Sequence, residues 1–167
     1  MLPVTHPSNI TGAALRLHLK SESETSLLGA RLGMLVTPGS RIYLRGGLGA
    51  GKTTLVRGML RALGVQDRVK SPTYTLVELY VISKLHFYHF DFYRFRDPNE
   101  FLESGFRDYF GGDATCLVEW PEKALGLLPE ADIEVELTAG TEGRDVRLSA
   151  SSEIGEKCLT KLREGYS

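Results

Sequence analysis

Eight consecutive residues, Gly46-Gly47-Leu48-Gly49-Ala50-Gly51-Lys52-Thr53, spell a complete G-x-x-x-x-G-K-T element. Glycines at these positions let the backbone curl until successive N–H groups point inward, with no side chain between them and a phosphate oxygen. Lys52 then supplies a point charge for the outer phosphates, and Thr53 has a hydroxyl to offer a magnesium ion bridging the β- and γ-phosphates. A glycine-rich turn can match such a pattern by accident. Here the strand-like Arg41-Ile42-Tyr43-Leu44-Arg45 precedes it and a helix-like segment from Thr54 to Leu63 follows, which is the context a phosphate loop needs. The N-terminus of that helix adds partial positive charge at the same place.

Holding phosphates is not hydrolysing them, which also takes a carboxylate near the metal and a group that orients water. Two apolar runs end in an acid: Leu85-His86-Phe87-Tyr88-His89-Phe90-Asp91 and Leu117-Val118-Glu119. The carboxyl ends of strands are where an open α/β sheet places its ligand chemistry, so Asp91 and Glu119 are the candidate acids. Tyr88, Phe92 and Tyr93 read as packing aromatics. His86 and His89, three apart on a strand, face opposite sides, cannot chelate one ion together, and are taken as structural.

The elements that must position these groups can be read from periodicity. Leu15 to Lys20 alternates as a half-buried strand, and Ser21 to Glu24 resembles a capping box opening a helix through Leu27, Leu28, Leu32 and Leu35. Thr37-Pro38-Gly39 ends that helix, and Gly64 ends the one after the loop. A hairpin is expected from Leu76–Val81 and Leu85–Asp91 around Ser83-Lys84, a helix from Asp97, and a buried strand at 115–120. A closing hairpin over Ile133–Leu137 and Val146–Leu148 and a terminal helix from about Glu153 to Arg163 complete the chain. The pattern predicts an α/β fold with a mixed central sheet and helices on both faces, as one domain over 15–167 after an N-terminal extension, 1–14.

With 167 residues, 42 % hydrophobic and 25 % charged, the composition is that of a soluble globular protein. A net charge of -1 creates no broad field for nucleic acid, so any RNA affinity must come from a local patch or a partner. Arg57, Arg61, Arg68 and Lys70 are the candidate patch, although a solvated helix face is the plainer reading. Two cysteines, Cys116 and Cys158, are far apart and without metal-ligand spacing, which fits a reduced, cytoplasmic setting. No secretory signal is expected at the start and no run is long enough to span a membrane.

Taken together, the loop at 46–54, Lys70-Ser71-Pro72-Thr73-Tyr74-Thr75-Leu76-Val77, His89-Phe90-Asp91-Phe92-Tyr93-Arg94, Gly105-Phe106-Arg107-Asp108-Tyr109-Phe110 and Leu117-Val118-Glu119-Trp120 resemble the bacterial TsaE (YjeE) family, in order, from about Ser21 to Leu148. The resemblance implies a P-loop NTPase fold and a small cytoplasmic ATPase. Such proteins serve the threonylcarbamoylation of adenosine 37 in tRNAs that read codons beginning with A. It implies ATP and Mg2+ as cofactors and the TsaB and TsaD proteins as partners, with tRNA met indirectly through the complex. By position, Gly49 to Thr54 would hold phosphates, Thr53 with Glu119 the metal, and Asp91 would serve hydrolysis or the metal's water shell. Ser71 to Thr75 would be a switch-like loop sensing the γ-phosphate through Thr73, and Trp120 matches the family tryptophan. Glu122 and Arg144 fall at nucleotide-contact positions, and Glu22 near the base. One departure is visible: the family's usual acid at the second loop residue is replaced by Gly47.

A small-molecule P-loop kinase is the alternative, but its arginine-rich lid would have to be the short Arg94–Asp97 stretch. A GTPase would need an Asn-Lys-x-Asp element, which the sequence lacks. A third reading makes ATP a ligand that only sets a conformation.

Overall fold

The computed structural model describes residues 14–166. The predicted N-terminal extension, apart from Ala14, lies outside the described residues. Among these the chain forms one seven-stranded mixed sheet in the order β1-β7-β6-β2-β5-β4-β3. The strands are β1 (Leu15–Leu19), β2 (Arg41–Arg45), β3 (Val77–Ile82), β4 (Leu85–Asp91), β5 (Thr115–Glu119), β6 (Ile133–Ala139) and β7 (Arg144–Ala150). The helices are α1 (Glu22–Leu35), α2 (Lys52–Ala62), α3 (Glu100–Glu103) and α4 (Glu153–Glu164). The central β6, β2, β5 and β4 run parallel, and antiparallel partners close both sides.

Burial on both sides explains why β2 and β5 read as continuous apolar runs: every residue of β5 is buried, Glu119 included. Alternation sorts their side chains. Ile42, Leu44 and Leu117 join an aliphatic core with Leu28, Leu32, Leu55, Met59, Leu159 and Leu162 from α1, α2 and α4. Tyr43, Cys116 and Val118 join an aromatic core with Phe90, Phe92, Phe95, Phe101, Phe106 and Phe110. The three long helices therefore share one face. The expectation of helices on both faces holds only in a reduced form, because the second face is covered by α3, two 3-10 turns (Phe106–Phe110 and Pro121–Ala124) and interlocking rings such as Phe92 on Phe95 at 4.6 Å.

Local rules place the ends of the elements. The Ser21 hydroxyl accepts from Glu24 N–H at 3.2 Å, capping α1. Glycines let α1 and α2 touch backbone to backbone. A Cβ at Gly29 would run into the Leu55 carbonyl and one at Gly58 into the Ser26 carbonyl. This contact fixes α2, and with it the loop that feeds it. The β3–β4 hairpin turns at Ser83-Lys84 with Ser83 left-handed (φ 56°) and Ile82 paired with Leu85. β3 starts one residue later than its apolar run because Leu76 is also left-handed, at φ 72°. The helix expected from Asp97 is a single turn. Glu100 accepts from Arg96 and Asp97 N–H, so the chain is organised at its start, but Gly105 at φ 75° follows its last turn and ends it. Both cysteines are free and buried.

Candidate functional site

β2 ends at Arg45 and the chain turns at once into the glycine loop, which returns as α2. Gly46, Gly49 and Gly51 take φ of 148°, 76° and 113°, conformations that side chains resist. At Gly46 a Cβ would also lie 2.5 Å from the Leu137 carbonyl oxygen. Gly51 caps α2 with no side-chain hydrogen bond, so the N–H groups of the helix's first turn are left for another acceptor. Gly51, Lys52, Thr53 and Thr54 line a cleft of about 280 Å³ together with Glu22, Leu48, Gly49, Ser71, Glu119, Trp120 and Arg144.

Lys52 is almost fully buried. Its Nζ donates to the carbonyls of Gly46 at 2.5 Å and Gly47 at 2.8 Å, and lies 4.3 Å from the centre of the Trp120 ring. Burial pushes its pKa below the ordinary lysine value, against the opposing pull of Glu119, Asp91 and Glu122. Trp120 adopts a left-handed backbone (φ 62°) directly after Glu119, and its ring is braced by Tyr93 at 4.9 Å.

The two strand-end acids are side by side. β4 and β5 are parallel with Asp91 paired to Glu119, and both acids project from the face that carries α2. Thr53 Oγ1 donates to Glu119, with distances of 3.1 Å to Oε1 and 2.9 Å to Oε2. His89 Nε2 contacts Glu119 Oε2 at 2.7 Å. Asp91 is held differently: Ser71 Oγ donates to its Oδ2 in a short hydrogen bond, Thr73 Oγ1 reaches the same oxygen at 3.4 Å, and Tyr93 N–H binds Oδ1 at 2.8 Å. The Ser71–Thr75 segment closes on itself through Leu76 N–H to the Pro72 carbonyl, 2.7 Å.

Of the residues singled out in the sequence, Glu22, Leu48, Gly49, Gly51 to Thr54, Glu119 and Arg144 come together around the cleft. Gly46, Gly47 and Ala50 form the loop backbone behind it. Arg144 packs on Gly51, where its Nη1 would lie 2.7 Å from an added Cβ. Asp91, Thr73 and Glu122 stand off the cleft wall. Asp91 reaches it through Ser71, and Glu122 pairs with Arg45 at 3.6 Å. Sequence reasoning named Ser71 only as part of the 71–75 loop and took His89 as structural. The alternation of β4 was the usable signal, since His89 lies two residues before Asp91 and shares its face. In the proposed basic patch, Arg57 and Arg61 donate to backbone carbonyls of Val69, Val65 and Asp67, organising the connection after α2.

Known proteins resemble this chain in sequence and in fold. A family profile described as Threonylcarbamoyl adenosine biosynthesis protein TsaE aligns with residues 19–146. The chain belongs to the TsaE family. The tRNA threonylcarbamoyladenosine biosynthesis protein TsaE of Haemophilus influenzae is 52 % identical over 119 residues, covering 71 % of this chain and 75 % of that protein. The Bacillus subtilis TsaE is 34 % identical over 149 residues, 89 % and 93 % of the respective chains. The crystal structure of Bacillus subtilis YdiB superposes with a TM-score of 0.79 at 28 % identity, covering 92 % of this chain and 97 % of that one. The TsaE profile spans the glycine loop, both acids and Arg144. Among the described residues no helix is long and apolar enough to cross a membrane.

Proposed function

We propose that this chain is a P-loop protein that binds ATP with Mg2+ and hydrolyses it as a component of the assembly forming N6-threonylcarbamoyladenosine at position 37 of tRNAs that read codons beginning with A. TsaB and TsaD are its partners, and tRNA is met through the complex. One observation carries the reading: the Thr53 hydroxyl meets the Glu119 carboxylate at the open N-terminus of α2, beside a buried lysine.

The residues suit the groups they are asked to hold. A hydroxyl and a carboxylate are the hard oxygen donors magnesium favours. The first-turn N–H groups of α2, with no side-chain cap, suit phosphate oxygens. A cleft of about 280 Å³ has room for a polyphosphate, with the rest of a nucleotide extending toward the Glu22 side. Held by Thr53 and Glu119, a magnesium ion would supply charge neutralisation at the phosphates. Lys52 exchanges the Gly46 and Gly47 carbonyls for phosphate, and Trp120 keeps water from its ammonium. Ser71, held by Asp91, is the switch-loop hydroxyl nearest the reacting end, while Asp91 orders water.

Turnover of ATP by the chain alone, then with purified TsaB and TsaD, tests the proposal. Slow hydrolysis alone and faster hydrolysis in the assembly is the expected result. Vigorous phosphorylation of a small metabolite, indifferent to TsaB and TsaD, would show a kinase instead. The lid such a kinase needs has little support, since Arg94 is stacked on exposed Tyr74 at 4.5 Å.

A further inference from the structure

We infer that His89 is a positioning residue: it sets the rotation of the Glu119 carboxylate so that Oε1 is presented to the magnesium ion. This rests on the reading of Glu119 as a metal ligand. Both side chains are buried, His89 completely and Glu119 to 3 % exposure, so no solvent competes for their contact. The register makes the contact diagonal. His89 pairs with Leu117 and Asp91 with Glu119, so the imidazole reaches forward along the shared face to the next inward residue of β5.

The imidazole is bound at one end only. Nε2 lies 2.7 Å from Glu119 Oε2, and Nδ1 has no hydrogen-bond partner among the described residues. The Nε2–Oε2 contact is thus the one hydrogen bond that orients the ring among the described residues. A histidine serving only to fill the core gains nothing from this arrangement, because an apolar ring there would bury no unpartnered nitrogen. The contact also divides the work of the carboxylate. Oε2 receives both His89 and Thr53, whereas Oε1 receives Thr53 alone and keeps lone-pair capacity. Hydrogen bonds of this kind fix the orientation and basicity of a metal's ligands, and losing them typically costs about 10- to 100-fold in metal affinity.

Two substitutions that both carry a carboxamide separate positioning from packing. In His89→Gln the amide reaches about as far as Nε2; in His89→Asn it stops short. The readout is ADP binding by calorimetry to the full chain, with Mg2+ titrated and in EDTA, alongside thermal melting. The expected result is a Mg2+ requirement raised about 10-fold or more in His89→Asn and within about 3-fold of the original chain in His89→Gln, with ADP affinity in EDTA unchanged in both. An unchanged Mg2+ requirement in His89→Asn overturns the inference. So does an equal loss in both variants that tracks falling melting temperature and EDTA-state affinity, which marks a packing role. If His89→Asn does not fold, His89→Gln decides: a Mg2+ requirement raised 10-fold or more in the folded protein overturns the inference, and one near the original supports it. Glu119→Gln, measured in parallel, isolates the underlying reading. Should it leave the Mg2+ requirement untouched, Glu119 is no metal ligand; should it shift that requirement while His89→Asn does not, only the role of His89 fails.

Discussion

Asp91 and Glu119 occupy equivalent places, at the ends of neighbouring parallel strands and paired in register, yet their surroundings differ in kind. Glu119 is bonded to parts of the frame: Thr53 on a helix fixed by glycine contacts to α1, and His89 within β4. Asp91 is bonded to the connection between α2 and β3, through Ser71 and Thr73, and to the Tyr93 N–H that follows it. One carboxylate is thus built to stay where it is. The other is tied to a loop held by a few hydroxyls, short-range backbone hydrogen bonds and a left-handed Leu76. Under the proposed function, the fixed acid would hold the metal and the loop-tied acid would respond to the phosphates present.

Substitutions that remove one station should break this division unequally. Glu119→Ala and Lys52→Ala should have the largest effect, about 1,000-fold or more in ATP turnover by the complex with TsaB and TsaD, since each deletes several kcal/mol of charge stabilisation. Asp91→Asn should lower turnover about 100-fold by steady-state kinetics while nucleotide binding changes little, as befits an acid that orders water. Ser71→Ala should cost about 10-fold in the same assay, the worth of one hydrogen bond to a charged acceptor, and should make residues 71–75 more sensitive to limited proteolysis. Thr73→Ala should fall within about 2-fold, because its contact with Asp91 at 3.4 Å is long. An effect of Thr73→Ala larger than that of Ser71→Ala would restore Thr73 as the sensing hydroxyl and invert the reading of the loop.

How much of this was legible in the sequence follows from how local each feature is. The glycine loop and its flanks were readable because spacing, caps and turn glycines act within a few residues. Asp91 and Glu119 were readable as acids ending apolar runs, and different roles for them came only as what the family resemblance implies. Their different surroundings were not readable, because these depend on the β4–β5 register and on a loop folding back from sequence positions 71–75 to 91. His89 was taken as structural because sequence alone does not reveal which residue of β5 lies diagonally ahead of it. On the aromatic face, Phe90, Phe92, Phe95, Phe101, Phe106 and Phe110 do much of the covering that helices were expected to do, since rings bury much area on little chain. For the two arginines of α2, a solvated helix face was the plainer reading, and their hydrogen bonds to the connection after the helix were not legible because they depend on how that connection folds back.

Everything proposed for the site turns on Glu119, and not Asp91, carrying the metal. Binding of ATP to the chain with saturating Mg2+ and in EDTA, compared for Glu119→Gln and Asp91→Asn, tests it directly. The account predicts that Glu119→Gln abolishes the gain in affinity from Mg2+ and that Asp91→Asn retains most of it. Loss of that gain in Asp91→Asn with its survival in Glu119→Gln would contradict the assignment.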